Sequence, residues 1–236
     1  MIFQTFGPAH LAILAAVPAG ARALASAARR RPGLLRPIRL VLAATIALDA
    51  AAWFGFTVSR GWFRPPHGLP LDLCNVVLWI VVIALAVPRA WALEVTYYLG
   101  VGGSGMALLT PDVGGDVPWY AAVQFFVAHG AVVGSVLFLV WAGALRPRPG
   151  SWWRVFVALL AYAAAVALFD LRTGTNYMYL REKPASGSLL DLLGPWPWYV
   201  LAAAGVALLL LWLLYLPFRR DGSLPGGRVG GGMIGR

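Results

Sequence analysis

Charge is what this chain has least of. Of its 236 residues 12% are charged, and its 9 acids are outnumbered by 19 basic residues, among which Lys183 is the single lysine. A soluble domain carries about 25% charged residues, and a soluble surface of this size needs ionic groups to cover it. A soluble enzyme or binding module is therefore excluded. The chain has one cysteine, so no internal disulfide is possible and the redox compartment is left open. Neither a metal site nor a cofactor is expected. The formal net charge of +10 could suit a nucleic acid, but the arginines cluster at the ends of apolar runs. That is the pattern of topology signals and lipid-headgroup contacts, so no nucleic-acid partner is expected.

What the chain has in plenty is hydrocarbon: 60% of it is hydrophobic, with a mean hydropathy of +0.75. A span needs about 20 apolar residues to cross roughly 30 Å of bilayer interior. Seven runs qualify, at about 7–27, 37–58, 70–88, 90–109, 118–144, 153–171 and 196–217. The expected fold class is all-α, a polytopic membrane bundle of about seven transmembrane helices forming one domain over 1–217. The basic, Gly-rich tail over 218–236 reads as disordered. One connection is sizeable, 172–195, polar at first and then carrying Leu189, Leu190, Leu192 and Leu193.

The first run reads as a retained span rather than a secretory signal, because Met1 to His10 holds no arginine or lysine while Arg22, Arg29, Arg30 and Arg31 lie at its far end. An arrangement with the N-terminus outside and the C-terminus in the cytoplasm collects 14 of the 19 basic residues inside. Arg60, Arg64, Arg172, Arg181 and Lys183 remain outside, together with most of the acids.

An ionisable group at the bilayer centre costs at least about 2.5–3.5 kcal/mol, so each one needs a reason. Asp49 falls near the middle of the second run, where it either pairs with a neighbouring helix or takes part in function. Glu94 lies close to a cytoplasmic end and is expected to snorkel to the interface. His10 opens the first run at the outer interface. His129, in Phe125-Phe126-Val127-Ala128-His129-Gly130, is apolar on both sides and eleven residues beyond Pro118. It either satisfies a backbone carbonyl or reacts.

Cys74 would ordinarily be dismissed as a small hydrophobe. Pro70 is well placed to open the third helix, which sets Cys74 just past its first turn, where the helix dipole favours a thiolate. Asp72 lies about 200° around the helix and need not cancel that effect. A Cys and a His from two helices in one leaflet form a nucleophile–base pair if their depths agree. Measured from the two prolines, His129 lies deeper by roughly 10 Å, so tilt or a fifth helix starting above the membrane is required. Gly100, Gly102, Gly103 and Gly105 allow close helix approach or a broken helix beside a cavity. The 172–195 connection, ending in Trp196, Trp198 and Tyr199 at an interfacial belt, could fold back over an outward-facing cavity.

Phe6-Gly7-Pro8-Ala9-His10-Leu11, Leu69-Pro70-Leu71-Asp72-Leu73-Cys74, Ala107 to Asp112, Phe125 to Gly130, and Asn176 through Tyr199 together resemble the YwaF-type bacterial integral membrane proteins and their eukaryotic relative, transmembrane protein 164. The most specific stretches are Asn176-Tyr177-Met178-Tyr179-Leu180 and Leu189-Leu190-Asp191-Leu192-Leu193-Gly194-Pro195-Trp196-Pro197-Trp198-Tyr199. The resemblance implies a bacterial-type cell membrane. It also implies a lipid acyltransferase with a Cys–His centre, matched here by Cys74 and His129. Asp72 stands where the bacterial proteins often have His or Gln, and Met106 close to where they tend to have Gln.

On that reading His10, Asp49 or Asp191 would orient the imidazole, and Asn75, Asn176 or Tyr177 would donate to the oxyanion. Asp72 is a further substrate-binding candidate. Arg64, Arg172, Arg181 and Lys183 would hold a phosphate headgroup, and the partners are membrane phospholipids. Hydrolysis and transfer both remain open, as does oligomeric state. Two rivals stand beside this reading. One is a transporter or channel with His129, Asp49 and Glu94 as a proton or ion relay, and the other is a lipid-binding factor without turnover.

Overall fold

The apolar runs form helices whose ends fall at proline, glycine and arginine. The computed structural model describes residues 4–111, 113, 118–184 and 188–219. Most of the expected tail, from 220 to 236, and Asp112 in the loop after the Gly-rich run lie outside the described residues. Helix α1 spans Pro8–Arg30, with Pro8 in its first turn and Arg29 and Arg30 in its last. Both choices suit a helix, since proline lacks only an N–H that has no partner there and arginine complements the negative C-terminal end. A 3-10 turn, Pro32–Leu34, leads into α2, Leu35–Ser59. Helix α3 is Leu73–Ala86. The Gly-rich run is a single rod in three pieces, α4 (Ala90–Val95), a π-helical stretch (Thr96–Ser104) and α5 (Gly105–Leu109). Then follow α6, Trp119–Trp141, and α7, Ser151–Thr173, and after two 3-10 turns, Tyr177–Tyr179 and Leu189–Leu193, α8, Trp198–Arg219.

Among the described residues the chain is all-helical, with seven rods and no strand. Five rods, α1, α2, α6, α7 and α8, are long and apolar enough to cross a membrane. The other two are α3, which at 14 residues is about 21 Å long, and the broken α4–α5 rod. These two interior rods pack on each other and on α6, while α1 lies along α6, α2 against α3 and α6, and α7 against α8. Val81, Leu85, Tyr98, Val132, Val136, Phe138 and Leu139 are buried at their junction. Leu48, Leu171, Leu201 and Leu213 point outward, exposed to what in a bilayer is lipid. A β-carbon added at Gly100 would stand 3.1 Å from Val136 Cγ2, so the glycine is what lets the π-helical stretch lie against α6.

Helix α1 runs three residues past its expected end, to Arg30, and α8 runs two residues into the expected tail, to Arg219. Three further boundaries differ from the expectation. Pro70 does not open α3; the helix starts three residues later, with Asp72 extended (φ −64°, ψ 143°) as its N-cap. The segment before it is spent in a loop whose Leu69 N–H is held by Tyr177. The fifth run ends at Trp141, because Gly143 turns the chain with φ +77°. The sixth run begins earlier than expected, at Ser151, directly after Gly150 with φ +71°. Glu94 also departs from expectation. It is buried and does not snorkel, accepting from Arg148 Nε at 2.6 Å, Arg148 Nη2 at 3.1 Å and Arg154 Nη2 at 3.1 Å. Two guanidinium groups supply in place what water would otherwise supply. Beside them Tyr98 and Ser151 share a hydrogen bond of 2.8 Å, and Arg39 caps α3 through the Leu85 carbonyl at 2.6 Å. This end of the bundle is called the arginine end below. The opposite end, where α1, α3, α6 and α8 begin, is the cavity end.

Candidate functional site

A cavity of about 1080 Å³ opens between α2, α3, α5 and α6, beneath the loop joining α2 to α3. Its walls are mostly aromatic and aliphatic, including Trp53, Phe54, Trp79, Phe125 and Val132. Into this apolar frame project Cys74, Asn75, Ser104, Gln124 and His129. A large apolar pocket with a few convergent polar groups is the usual form of a ligand site. Trp62, Gly68, Leu69 and Pro70 of the α2–α3 loop also line it, so the first turn of α3 lies below a roof. The late start of α3 therefore bears on the depth mismatch expected from the prolines, and Cys74 and His129 line the same cavity.

Cys74 is the second residue of α3, within the first turn, where backbone amides lack intrahelical acceptors. Its side chain is exposed to the cavity. His129 lies half-buried on α6, and its Nδ1 is 2.7 Å from the Phe125 carbonyl one turn earlier. A carbonyl only accepts, so Nδ1 carries the proton and Nε2 is left as a basic lone pair. The bland and the reactive readings of this residue thus coexist: the backbone bond fixes the tautomer that a base requires. Asp49 does not line the cavity. Its Oδ2 accepts from Gln124 Nε2 at 2.9 Å, which fixes that amide at the cavity wall.

One edge of the cavity is a strap made by Tyr177, Met178 and Tyr179. Three side chains hold its backbone. Asp170, fully buried at the end of α7, accepts through Oδ1 from Thr175 Oγ1 at 2.6 Å and the Tyr177 N–H at 3.1 Å, and its Oδ2 has no partner among the described residues. Asp72 Oδ1 accepts from the Met178 N–H at 3.0 Å, and the Tyr199 hydroxyl donates to the Tyr179 carbonyl. Met178 and Tyr179 are left-handed, with φ +57° and +54°, a conformation that non-glycine residues adopt at a cost of about 1–3 kcal/mol each. The strap is therefore held under strain where it meets the cavity. The Tyr177 hydroxyl donates to the Pro66 carbonyl at 2.7 Å and accepts from the Leu69 N–H at 2.8 Å. Burial, aided by the charges of Asp72 and Asp170, pushes its phenol above the usual range against the pull of the backbone donors, so it remains a neutral donor.

The structure gathers Cys74, His129, Asn75, Asp72 and Tyr177 at this cavity and leaves the other candidates elsewhere. His10 is fully buried, with Nδ1 accepting from the Phe6 N–H at 2.8 Å and Nε2 donating to the Leu108 carbonyl at 2.7 Å. It fastens the start of α1 to α5 and is not a lining residue. Asn176 accepts from the Arg181 and Glu182 amides and donates to the Glu182 carbonyl, which folds its own loop. Asp191 caps the Leu189–Leu193 turn through the Ser188 N–H and meets Lys183 Nζ at 3.6 Å. Tyr177 lines the cavity but has its hydroxyl engaged on both sides.

Of the four basic candidates, Arg181 braces the strap through the Thr175 carbonyl at 3.1 Å, and Lys183 lies 5.5 Å over the Tyr199 ring. Arg64 donates to the Gly61 carbonyl at 2.7 Å within the roof loop, and Arg172 is exposed at the end of α7. The members of the expected relay are also apart in bonding, with Asp49 on Gln124, His129 on Phe125, and Glu94 in its arginine clamp at the other end. Gln124 and Asp170 were missed. For Gln124 the available signal was a lone amide five residues before His129 in an apolar run. For Asp170 it was an acid at the foot of the Asn176–Leu180 stretch.

The model of the TMEM164 family matches residues 5–215 of the chain, in keeping with the resemblance carried by the motifs above. No curated protein and no solved structure matches.

Proposed function

We propose that this chain, which belongs to the TMEM164 family and is an integral membrane protein in contact with bilayer lipids, is an acyl-transfer enzyme that works through a thioester on Cys74. The observation that carries the reading is one cavity lined by both a thiol and an imidazole whose Nδ1 is held by a carbonyl, leaving Nε2 to take a proton.

In the first half-reaction His129 Nε2 takes the thiol proton and Cys74 Sγ attacks the carbonyl carbon of a phospholipid ester. The ester C–O bond breaks, the leaving alkoxide takes the proton back from His129, and a lysophospholipid departs. In the second half-reaction His129 accepts a proton from the acceptor hydroxyl, or from water, as that oxygen attacks the thioester. The C–S bond breaks and the thiolate is reprotonated. Asn75, one residue from the nucleophile, is the oxyanion donor among the three candidates, because Asn176 and the Tyr177 hydroxyl are already engaged. Gln124, anchored by Asp49, offers its amide oxygen to the glycerol or the acceptor. Arg64 and Arg172, both exposed, are the basic candidates left to meet a lipid headgroup. The cavity end is read as outside and the arginine end as cytoplasmic, which agrees with the distribution of basic residues.

The test is acyl transfer from phosphatidylcholine to a lyso ether phospholipid in proteoliposomes, with intact-mass detection of the acylated protein. Cys74→Ala is expected to lower transfer on the order of 10⁴-fold and to remove the acyl adduct. Unchanged transfer in that variant would overturn the reading.

A further inference from the structure

A second cavity, of about 270 Å³, lies on the other side of the π-helical stretch, between it, α7, α8 and the Leu189–Leu193 turn. Its walls include Leu99, Gly102, Gly103, Leu190, Leu193 and Leu210. Tyr98 is the one lining side chain with a polar atom, and its hydroxyl is paired with Ser151 at 2.8 Å. A ligand here would find no side-chain hydrogen bond, so its occupant must be hydrocarbon. Leu73 lines this cavity and the first one alike, and it is the residue that precedes Cys74.

The Leu189–Leu193 turn explains its own odd sequence in the same way. Its polar side is fixed by the capping box of Ser188 and Asp191 and by Lys183, and this holds Leu189, Leu190 and Leu193 over the cavity. The small residues Gly102, Gly103, Ala203 and Ala207 keep the interior open.

We infer that this cavity binds a lipid acyl chain, and, resting on the function proposed above, that it takes the chain of the acyl group carried by Cys74, which passes over Leu73. The larger cavity, with its few polar groups, would then hold the ester and the glycerol, and the smaller one the tail. That division gives the protein a means of measuring chain length.

The probe is phosphatidylcholine vesicles in which part of the acyl chains end in a diazirine, with photolabelled sites mapped by peptide mass. Labelling is expected at Leu99, Leu190 and Leu210 in excess of that at the outward-facing Leu209 and Leu213. A β-carbon at Gly103 meets nothing within 4 Å, so Gly103→Leu can start its side chain in open space at the cavity wall. It should cut labelling at these sites about tenfold, the worth of two displaced methylenes. Ala203→Phe, entering from α8, serves as the second filling variant, and Leu209→Phe as the control of equal bulk. Equal labelling of cavity and outward-facing residues, or labelling indifferent to both filling variants, overturns the inference.

The adduct on Cys74 separates the two proposals. Shorter chains on Cys74 in Gly103→Leu support the assignment of the tail, and an unchanged chain profile overturns it. Cavity labelling that persists in Cys74→Ser, with no adduct formed by the wild-type protein, supports chain binding and sinks the thioester mechanism alone.

Discussion

The two ends of the bundle handle polar groups in opposite ways. At the arginine end Glu94 is 5% exposed and takes three hydrogen bonds from Arg148 and Arg154. Tyr98 and Ser151 satisfy each other, and Arg39 covers the last carbonyls of α3. At the cavity end Cys74, Asn75, Gln124 and His129 face an open volume of about 1080 Å³. Polar groups are costly within a membrane protein's interior wherever they occur. Where they neutralise one another, stability is enough to account for them. Where they face open volume, the return has to come from a ligand, and this contrast separates Glu94 from His129, two residues that look alike in the sequence.

The largest effect expected from breaking the contrast is at His129. His129→Ala should reduce acyl transfer on the order of 10²–10⁴-fold, the usual worth of a general base, while leaving the unfolding midpoint in lipid nearly unchanged. Its one hydrogen bond is to a carbonyl that α6 also uses. Acyl transfer that persists in this variant would mean that Cys74 is activated by some other group. Glu94→Ala should do the reverse. It leaves two guanidinium groups without their shared acceptor and is expected to cost about 2–3 kcal/mol. The cost sits at the low end because the Arg148 and Arg154 side chains are 55% and 50% exposed and can turn to water. Per folded molecule, transfer should be unaltered. A fall in turnover without a fall in the midpoint would make Glu94 part of the working site and erase the distinction between the ends.

The bundle was legible because hydropathy and arginine placement act over whole helices. Seven runs became seven rods, with errors of a few residues at helix ends, as where Gly143, Gly150 and the loop before Asp72 decide matters locally. The cavity was only partly legible. Cys74 and His129 stood out as rare residues in apolar surroundings, but which residues share a wall depends on depth, and depth was misjudged by assuming that Pro70 starts α3. Partner choice was not legible at all. His10 and His129 are both single histidines in apolar helices, yet backbone groups engage both nitrogens of His10 and only Nδ1 of His129 is held by a backbone carbonyl, because the Leu108 carbonyl ends α5 beside His10. Such long-range pairings, like Tyr177 with Pro66 and Leu69, have no local signature.

The smallest expected effect sharpens the boundary of the cavity end. Tyr177 belongs to it by position but, like Glu94, has its polar atom fully engaged, since the hydroxyl joins the strap to the roof loop through Pro66 and Leu69. If that bond is structural, Tyr177→Phe keeps the ring in the cavity wall and loses about 1 kcal/mol, the usual net worth of one hydrogen bond. The roof then fits the substrate less closely. The apparent KM for the lipid donor should rise a few-fold while kcat stays near wild type, the pattern of lost uniform binding. If instead the hydroxyl serves the oxyanion, kcat falls about 10²–10³-fold with KM unchanged, and Asn75→Ala becomes the milder variant. The split between kcat and KM therefore decides whether Tyr177 acts as part of the roof or as part of the reacting centre.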